Sequence, residues 1–113
     1  MIHHQTIDQY IKVCMKTWLL CEASVHAEST SSSPRYNLLK ECSDCARACF
    51  EVVSRLVSHT GDLGTLVLNC LIHCRQCSIE CAKYPGEEDV RFCGIVSNIC
   101  ADTLKEIAVA DLN

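Results

Sequence analysis

The chain has 113 residues, enough for one domain with its own core but too few for two. Eleven residues are cysteine, and they supply a large share of the 49% of the chain that is apolar. The formal net charge is −4 and basic residues form no stripe, which argues against a nucleic-acid-binding surface. The expected partners are cations or proteins, and the function must account for the cysteines.

The sequence also bears on the compartment. The first residues, MIHHQTIDQYIK, lack the basic head, apolar middle and small-residue cleavage site of a secretory signal, so we expect a cytoplasmic protein. The longest uncharged apolar stretches are roughly half of the ~20 residues that cross a bilayer, so no membrane partner is expected. Cytosolic thiols stay reduced. An odd cysteine count with only four glycines and two prolines is unlike a secreted disulfide scaffold.

The first two predicted helices are marked by capping residues. Thr6 opens a capping box that starts a helix over about 6–27. The polar segment after it ends in Ser33, which suits the N-cap, and Pro34, which suits the first helical position. A second helix is therefore predicted over about 34–59.

The third and fourth predicted helices are marked by glycine, proline and charge. A glycine ends the second helix and Asp62 suits the N-cap of the next, over about 62–84. The turn at 84–86 stops that helix, and three acidic residues favour a fourth over about 87–110. Short connections make neighbouring long helices antiparallel. The expected fold is all-α: a single up-down-up-down four-helix bundle over residues 1–113.

Cysteines and aliphatic residues recur at spacings of three and four in every predicted helix, which is the pattern of a buried helix face. All the cysteines follow this pattern: Cys14, Cys21, Cys42, Cys45, Cys49, Cys70, Cys74, Cys77, Cys81, Cys93 and Cys100. They come late in the first and third helices and early in the second and fourth. In an antiparallel bundle these positions share one end, so we expect cysteines to line one half of the core.

The same periodicity predicts layers of sulfurs about 10 Å apart, since they are seven residues apart on each helix. One layer contains Cys21, Cys42, Cys77 and Cys93. The other contains Cys14, Cys49, Cys70 and Cys100. The layer between them contains Trp18, Cys45, Cys74 and Val96, with the Trp18 ring as core filler.

Thiols gathered at one end indicate soft metal ions. Leucine in each place would bury more apolar area, so cysteine as plain core packing is the weaker interpretation. Soft thiolates select Cu(I), Zn(II) or iron–sulfur clusters. Zinc favours a closed set of four ligands, whereas Cu(I) accepts two or three sulfurs and can be bridged into chains that use every thiol. We predict that the 11 cysteines hold several Cu(I) ions, with Zn(II) as the alternative.

Three motifs carry a family resemblance: Cys42-x2-Cys45-x3-Cys49, Cys70-x3-Cys74-x2-Cys77-x3-Cys81, and Phe92-Cys93 after a short turn. Together they resemble the cysteine-rich four-helix-bundle copper storage proteins, specifically their cytosolic branch, over nearly the whole chain. The resemblance implies a bundle filled with Cu(I) thiolates, a homotetramer, metal uptake at one end, and storage without catalysis. Aliphatic residues at several positions of the buried faces imply a smaller capacity than that of members with thiols along most of the bundle.

Two histidines are candidates for metal uptake. His26 falls near the thiol-rich end, and His73 directly precedes Cys74. The alternative for both is an ordinary solvent-facing histidine. No nucleophile with a base and an orienting partner is recognisable, so we expect no enzyme. The alternative functions are a Zn(II)-binding structural bundle and a thiol-based redox or metal-responsive interaction protein.

Overall fold

The computed structural model describes the backbone over residues 4–58 and 63–112 and the side chains over 7–58 and 63–106. Its helices are α1 (His4–Ser29), α2 (Tyr36–Ser58), α3 (Leu63–Cys81) and α4 (Glu88–Leu112). Each of α1 and α3 packs against both α2 and α4. The predicted all-α four-helix bundle is confirmed. Over the described residues, none of the helices is both long enough and apolar enough to cross a membrane.

Each predicted helix end differs from the observed one by one to three residues, and two of these differences have a structural cause. α2 begins at Tyr36 because the carboxylate of Glu28, and not the Ser33 side chain, accepts a hydrogen bond from the Arg35 backbone N–H at 2.6 Å. α3 ends at Cys81, after which the chain tightens into i→i+3 hydrogen bonds that reach residue 84. The predicted turn at 59–62, with Asp62 as N-cap, and the side chain of the predicted cap Thr6 lie outside the described residues.

The core has two chemically different ends. We call the end where α1 leads into α2 the thiol end, and the opposite end, where α1 starts and α2 finishes, the aliphatic end. All 11 cysteines are buried, free, and gathered toward the thiol end, as predicted. The aliphatic end is filled by fully buried Val52, Val67 and Leu104, with Leu56 and Tyr10 almost as deep. Among the described residues, this end buries apolar surface without any sulfur.

Arg35 links the two connections at the thiol end. Its Nε and one Nη donate hydrogen bonds to the Glu28 carboxylate at 3.0 and 2.8 Å. The same side chain donates to Glu87 at 2.8 Å and lies over the Tyr84 ring, 4.3 Å from its centroid. The α1–α2 connection is therefore joined to the α3–α4 connection by one guanidinium.

Removing the Arg35 charge should destabilise the bundle. In Arg35→Gln, the Glu28 carboxylate, only 8% exposed, loses its cation, and we expect the melting temperature at pH 7 to fall by about 4 °C. Hydrogen bonding to Arg35 lowers the pKa of Glu28 below its usual 4.5. The contribution is therefore complete above about pH 5 and is lost as the pH falls through the lowered pKa of the folded state.

Thermal melts followed by circular dichroism at pH 7 and at steps down to about pH 3 would check this. Arg47→Gln is the matched control, because Arg47 is 69% exposed and lies 4.0 Å from Asp44. The expected result is a difference between Arg35→Gln and the unmodified chain that shrinks with acidification, with little change in the control. Equal melting of all three proteins at pH 7 would contradict the assignment.

Candidate metal centre

Cysteines three or four residues apart lie along one face of each helix. The Sγ atoms of Cys70 and Cys74 are 4.0 Å apart, as are those of Cys77 and Cys81. A disulfide needs about 2.05 Å, so these are separate thiols. Three sulfurs in a plane around one ion, with metal–sulfur bonds of about 2.3 Å, lie about 4.0 Å apart. The observed spacing therefore suits sulfurs that share a metal ion.

Sulfurs on neighbouring helices lie equally close. The cross-helix Sγ–Sγ distances are 3.7 Å for Cys21–Cys93, 3.9 Å for Cys42–Cys77, 3.7 Å for Cys45–Cys74, 3.6 Å for Cys49–Cys70 and 3.9 Å for Cys14–Cys100. Each of the two predicted sulfur layers contains two of these pairs. The fifth pair, Cys45–Cys74, lies within the layer predicted between them. The register predicted for the cysteines is confirmed.

Three groups of sulfurs are compact enough to hold an ion, with all Sγ atoms of a group within 4.8 Å of one another. The rim group, nearest the thiol end, contains Cys42, Cys77, Cys81 and Cys93. The junction group contains Cys21, Cys45 and Cys77. The inner group contains Cys45, Cys49 and Cys74. Because Cys77 and Cys45 each belong to two groups, the three groups form one continuous column of sulfurs. Cys70 extends the column through contacts with Cys49 and Cys74, and Cys14 contacts Cys100.

Hydrogen bonds between neighbouring thiols shift their pKa values in opposite directions. Hydrogen bonding with Cys45, reinforced by burial, raises the pKa of Cys21. Hydrogen bonding with Cys21 lowers the pKa of Cys93 to about 4, so Cys93 is the member of that pair favoured as thiolate. A buried thiolate without a counter-charge is costly, and a bound monovalent cation would supply that charge. The column is therefore electrostatically suited to cations.

The layer between the two sulfur layers holds a hydroxyl that the sequence interpretation missed. Ser97 is fully buried, and its Oγ lies 3.6 Å from the sulfur of Cys77 and 3.9 Å from those of Cys21 and Cys45. Ser97 follows one cysteine by four residues and precedes the next by three, so it fits the periodic pattern as well as Val96 does. Val96 is also buried, and the expectation of an apolar residue in the core favoured Val96 over Ser97.

The predicted place of Trp18 is wrong. Its side chain is half-buried and packs against Phe50 of α2, with ring centroids 5.1 Å apart, along a groove on the surface. Thr17 is the fully buried residue of this turn, and its hydroxyl donates to the Val13 carbonyl at 2.7 Å. Sulfurs already in contact with one another leave no volume for an indole, so the smaller side chain faces inward.

The two candidate histidines lie outside the sulfur groups. His26 is exposed in the last turn of α1. His73 is half-buried, and its Nδ1 is buried without a hydrogen-bond partner in the described part of the chain. The groups of metal-ligating atoms found among the described residues contain only cysteine. A role for either histidine in metal uptake stays a prediction.

Comparisons with known proteins give one match. The model of a family described as copper storage protein matches residues 3–109, a range that reaches into all four helices and includes every cysteine. Neither a curated protein nor a solved structure matches the chain.

Gly94 permits the close approach of α4 to the rim group. A Cβ at Gly94 would lie 2.7 Å from the Cβ of Cys81, so in Gly94→Ala the backbones must separate. The strain, about 1–3 kcal/mol, exceeds the ~1 kcal/mol that alanine gains in helix propensity. We expect urea unfolding of the reduced, metal-free variant to give a free energy of unfolding lower by about 1 kcal/mol.

Gly86→Ala is the matched control, because nothing lies within 4 Å of a Cβ built at Gly86. Its free energy of unfolding should equal or slightly exceed that of the unmodified chain. A Gly94→Ala protein as stable as the control would show that α3 and α4 are not in this close contact.

Proposed function

The chain belongs to the copper storage protein family, and we propose that it stores Cu(I) as thiolate complexes inside its own bundle. The observation that carries the proposal is the continuous column of buried, free cysteines with neighbouring sulfurs 3.6–4.0 Å apart. All 11 cysteines are proposed ligands. Ions that share sulfurs along the column would use every thiol, as bridged Cu(I) does.

The numbers of sulfurs in the groups favour Cu(I) over Zn(II). The rim group has the four ligands of a closed zinc site, and this observation keeps a Zn(II)-binding structural bundle as the second candidate function. The junction and inner groups have three sulfurs each and share members with their neighbours. Three-sulfur sites suit Cu(I), and a single zinc ion at the rim would leave most thiols unused.

The burial of the thiols supports storage over redox signalling. Each cysteine is at most 1% exposed, whereas reactive signalling thiols are accessible to oxidants and partner proteins. The family is one of storage proteins, and we propose that this chain likewise catalyses no reaction. We also propose a cytoplasmic location, which is supported by the absence of disulfides among the 11 cysteines.

Exposed apolar residues support a homo-oligomer. On α3, Leu68, Ile72 and Ile79 are 46–66% exposed at helical spacing. On α4, Phe92, Ile95 and Ile99 are 46–51% exposed at the same kind of spacing. Rows of exposed apolar side chains mark interaction surfaces, and a closed tetramer needs more than one such surface on each copy. We propose the homotetramer that the resemblance implies.

Charged side chains among the exposed apolar residues of α4 should dissociate the proposed homotetramer. In the double variant Ile95→Glu/Ile99→Glu, two carboxylates would have to be buried in the interface, so the mass in solution should fall from four copies to one or two. Size-exclusion chromatography with light scattering would measure it. Val57→Glu is the control, because Val57 is 62% exposed on α2, a helix that carries neither row. A monomeric unmodified chain would contradict the proposed tetramer.

The storage proposal predicts that each chain holds several Cu(I) ions, on the order of the thiol count. Reduced, metal-free protein would be titrated anaerobically with Cu(I) against a competing chromogenic chelator, with and without excess Zn(II). Excess Zn(II) should leave the number of bound Cu(I) ions nearly unchanged. Cys74→Ser should lower the number of ions, because the Cys74 sulfur contacts those of Cys45, Cys49 and Cys70. Val52→Ala, equally buried but without sulfur, should not.

Acid should weaken Cu(I) binding. Because hydrogen bonding with Cys45 raises the pKa of Cys21, that thiol is protonated at neutral pH and must release its proton to bind metal.

Binding of one ion or none would contradict storage. A metal-free protein that is unfolded would favour the zinc bundle, and rapid reaction of the folded protein with thiol reagents would favour the redox alternative.

A further inference from the structure

Ser97 occupies the one place where the rim and inner groups are joined. Its hydroxyl contacts Cys77, which the junction shares with the rim, and Cys45, which the junction shares with the inner group. It also contacts Cys21, the remaining junction member. Ser97 is therefore in contact with all three sulfurs of the junction group and is itself fully buried.

An ion bound by the inner group has to pass this junction. Toward the aliphatic end, the inner group is followed by the thiols of Cys14, Cys70 and Cys100 and then by fully buried Val52, Val67 and Leu104, which offer no metal ligand. The rim group lies at the thiol end, with Cys81 at the last residue of α3. The route that offers a ligand at every step runs from the rim through Cys77 and Cys45 to the inner group.

The chemistry of a hydroxyl at this point differs from that of a thiol. A neutral hydroxyl oxygen is a hard donor and does not compete with thiolate for Cu(I). The Ser97 hydroxyl donates its hydrogen to the Cys77 sulfur at 3.6 Å. A sulfur that accepts a hydrogen bond donates less electron density to a metal, because the hydrogen bond draws on the lone pairs that would bind the ion. Both effects weaken ion binding at the junction relative to its neighbours.

We propose that Ser97 is a positioning residue that keeps the junction group the weakest Cu(I) site of the column, so that ions cross it between the rim and inner groups and do not remain there. This inference rests on the proposed storage function. Ser97 acts through Cys77 and is not itself a ligand. The serine would then set the rate at which stored ions leave the inner group, separately from the number stored.

Extraction kinetics test the proposal. Copper-loaded protein would be mixed anaerobically with excess chromogenic chelator, and the slow phase taken as release from the inner group. Ser97→Ala removes the hydrogen bond without adding a ligand, and we expect an unchanged number of ions with a slow phase about tenfold slower. Ser97→Cys adds a fourth sulfur at the junction, and we expect a still slower phase and a change in thiolate-to-Cu(I) charge-transfer absorption.

Thr17→Val is the matched control, because Thr17 is as deeply buried as Ser97. Its hydroxyl donates a hydrogen bond to the Val13 carbonyl of its own helix. Its extraction kinetics should equal those of the unmodified chain. Circular dichroism of each metal-free variant checks folding, and Ser97→Ala and Ser97→Cys test the role independently of each other.

The outcomes separate the two proposals. If the unmodified chain binds several ions but both Ser97 variants release them at its rate or faster, the role of Ser97 is overturned and storage stands. The same holds if Thr17→Val slows release as much as Ser97→Ala, since that effect would be one of packing. If the unmodified chain binds no Cu(I), the storage proposal itself fails.

Discussion

Contact between sulfurs across four helices is the constraint on which the rest of the structure depends. Cross-helix Sγ–Sγ distances of 3.6–3.9 Å require backbones that approach closely. Small buried residues next to the cysteines in sequence allow this: Ala46 and Ala48 on α2, and Gly94 and Ala101 on α4. A larger side chain at these positions would separate the helices and move the sulfurs out of reach of a shared ion.

Stability and the proposed metal binding depend on different residues of the bundle. A cysteine buries less apolar area than a leucine, so a core of thiols stabilises the fold less than an aliphatic core of the same length. The aliphatic end compensates with fully buried Val52, Val67 and Leu104. At the thiol end, Arg35 joins Glu28 and Glu87 across the two connections. The residues that stabilise the bundle are therefore distinct from the proposed ligands.

The fold and the burial of the cysteines could be predicted because both follow from periodicity and chain direction. Spacings of three and four identify the buried face, and antiparallel helices bring late and early cysteines to one end. Helix ends were predicted less well. The start of α2 depends on the carboxylate of Glu28, seven residues before the Arg35 N–H that it binds, and a local capping rule cannot anticipate that partner.

By itself, the sequence determined the helices, the inward face of each and the end at which the thiols gather, since these depend only on spacing along the chain. It could not choose between residues 17 and 18 or between 96 and 97, because a pattern of threes and fours admits both members of each pair. Packing made the choice: sulfurs in mutual contact leave room for Thr17 and Ser97 and none for the Trp18 ring. The division of the sulfurs into groups that share Cys77 and Cys45 was likewise decided only by the tertiary structure, because it depends on distances between helices.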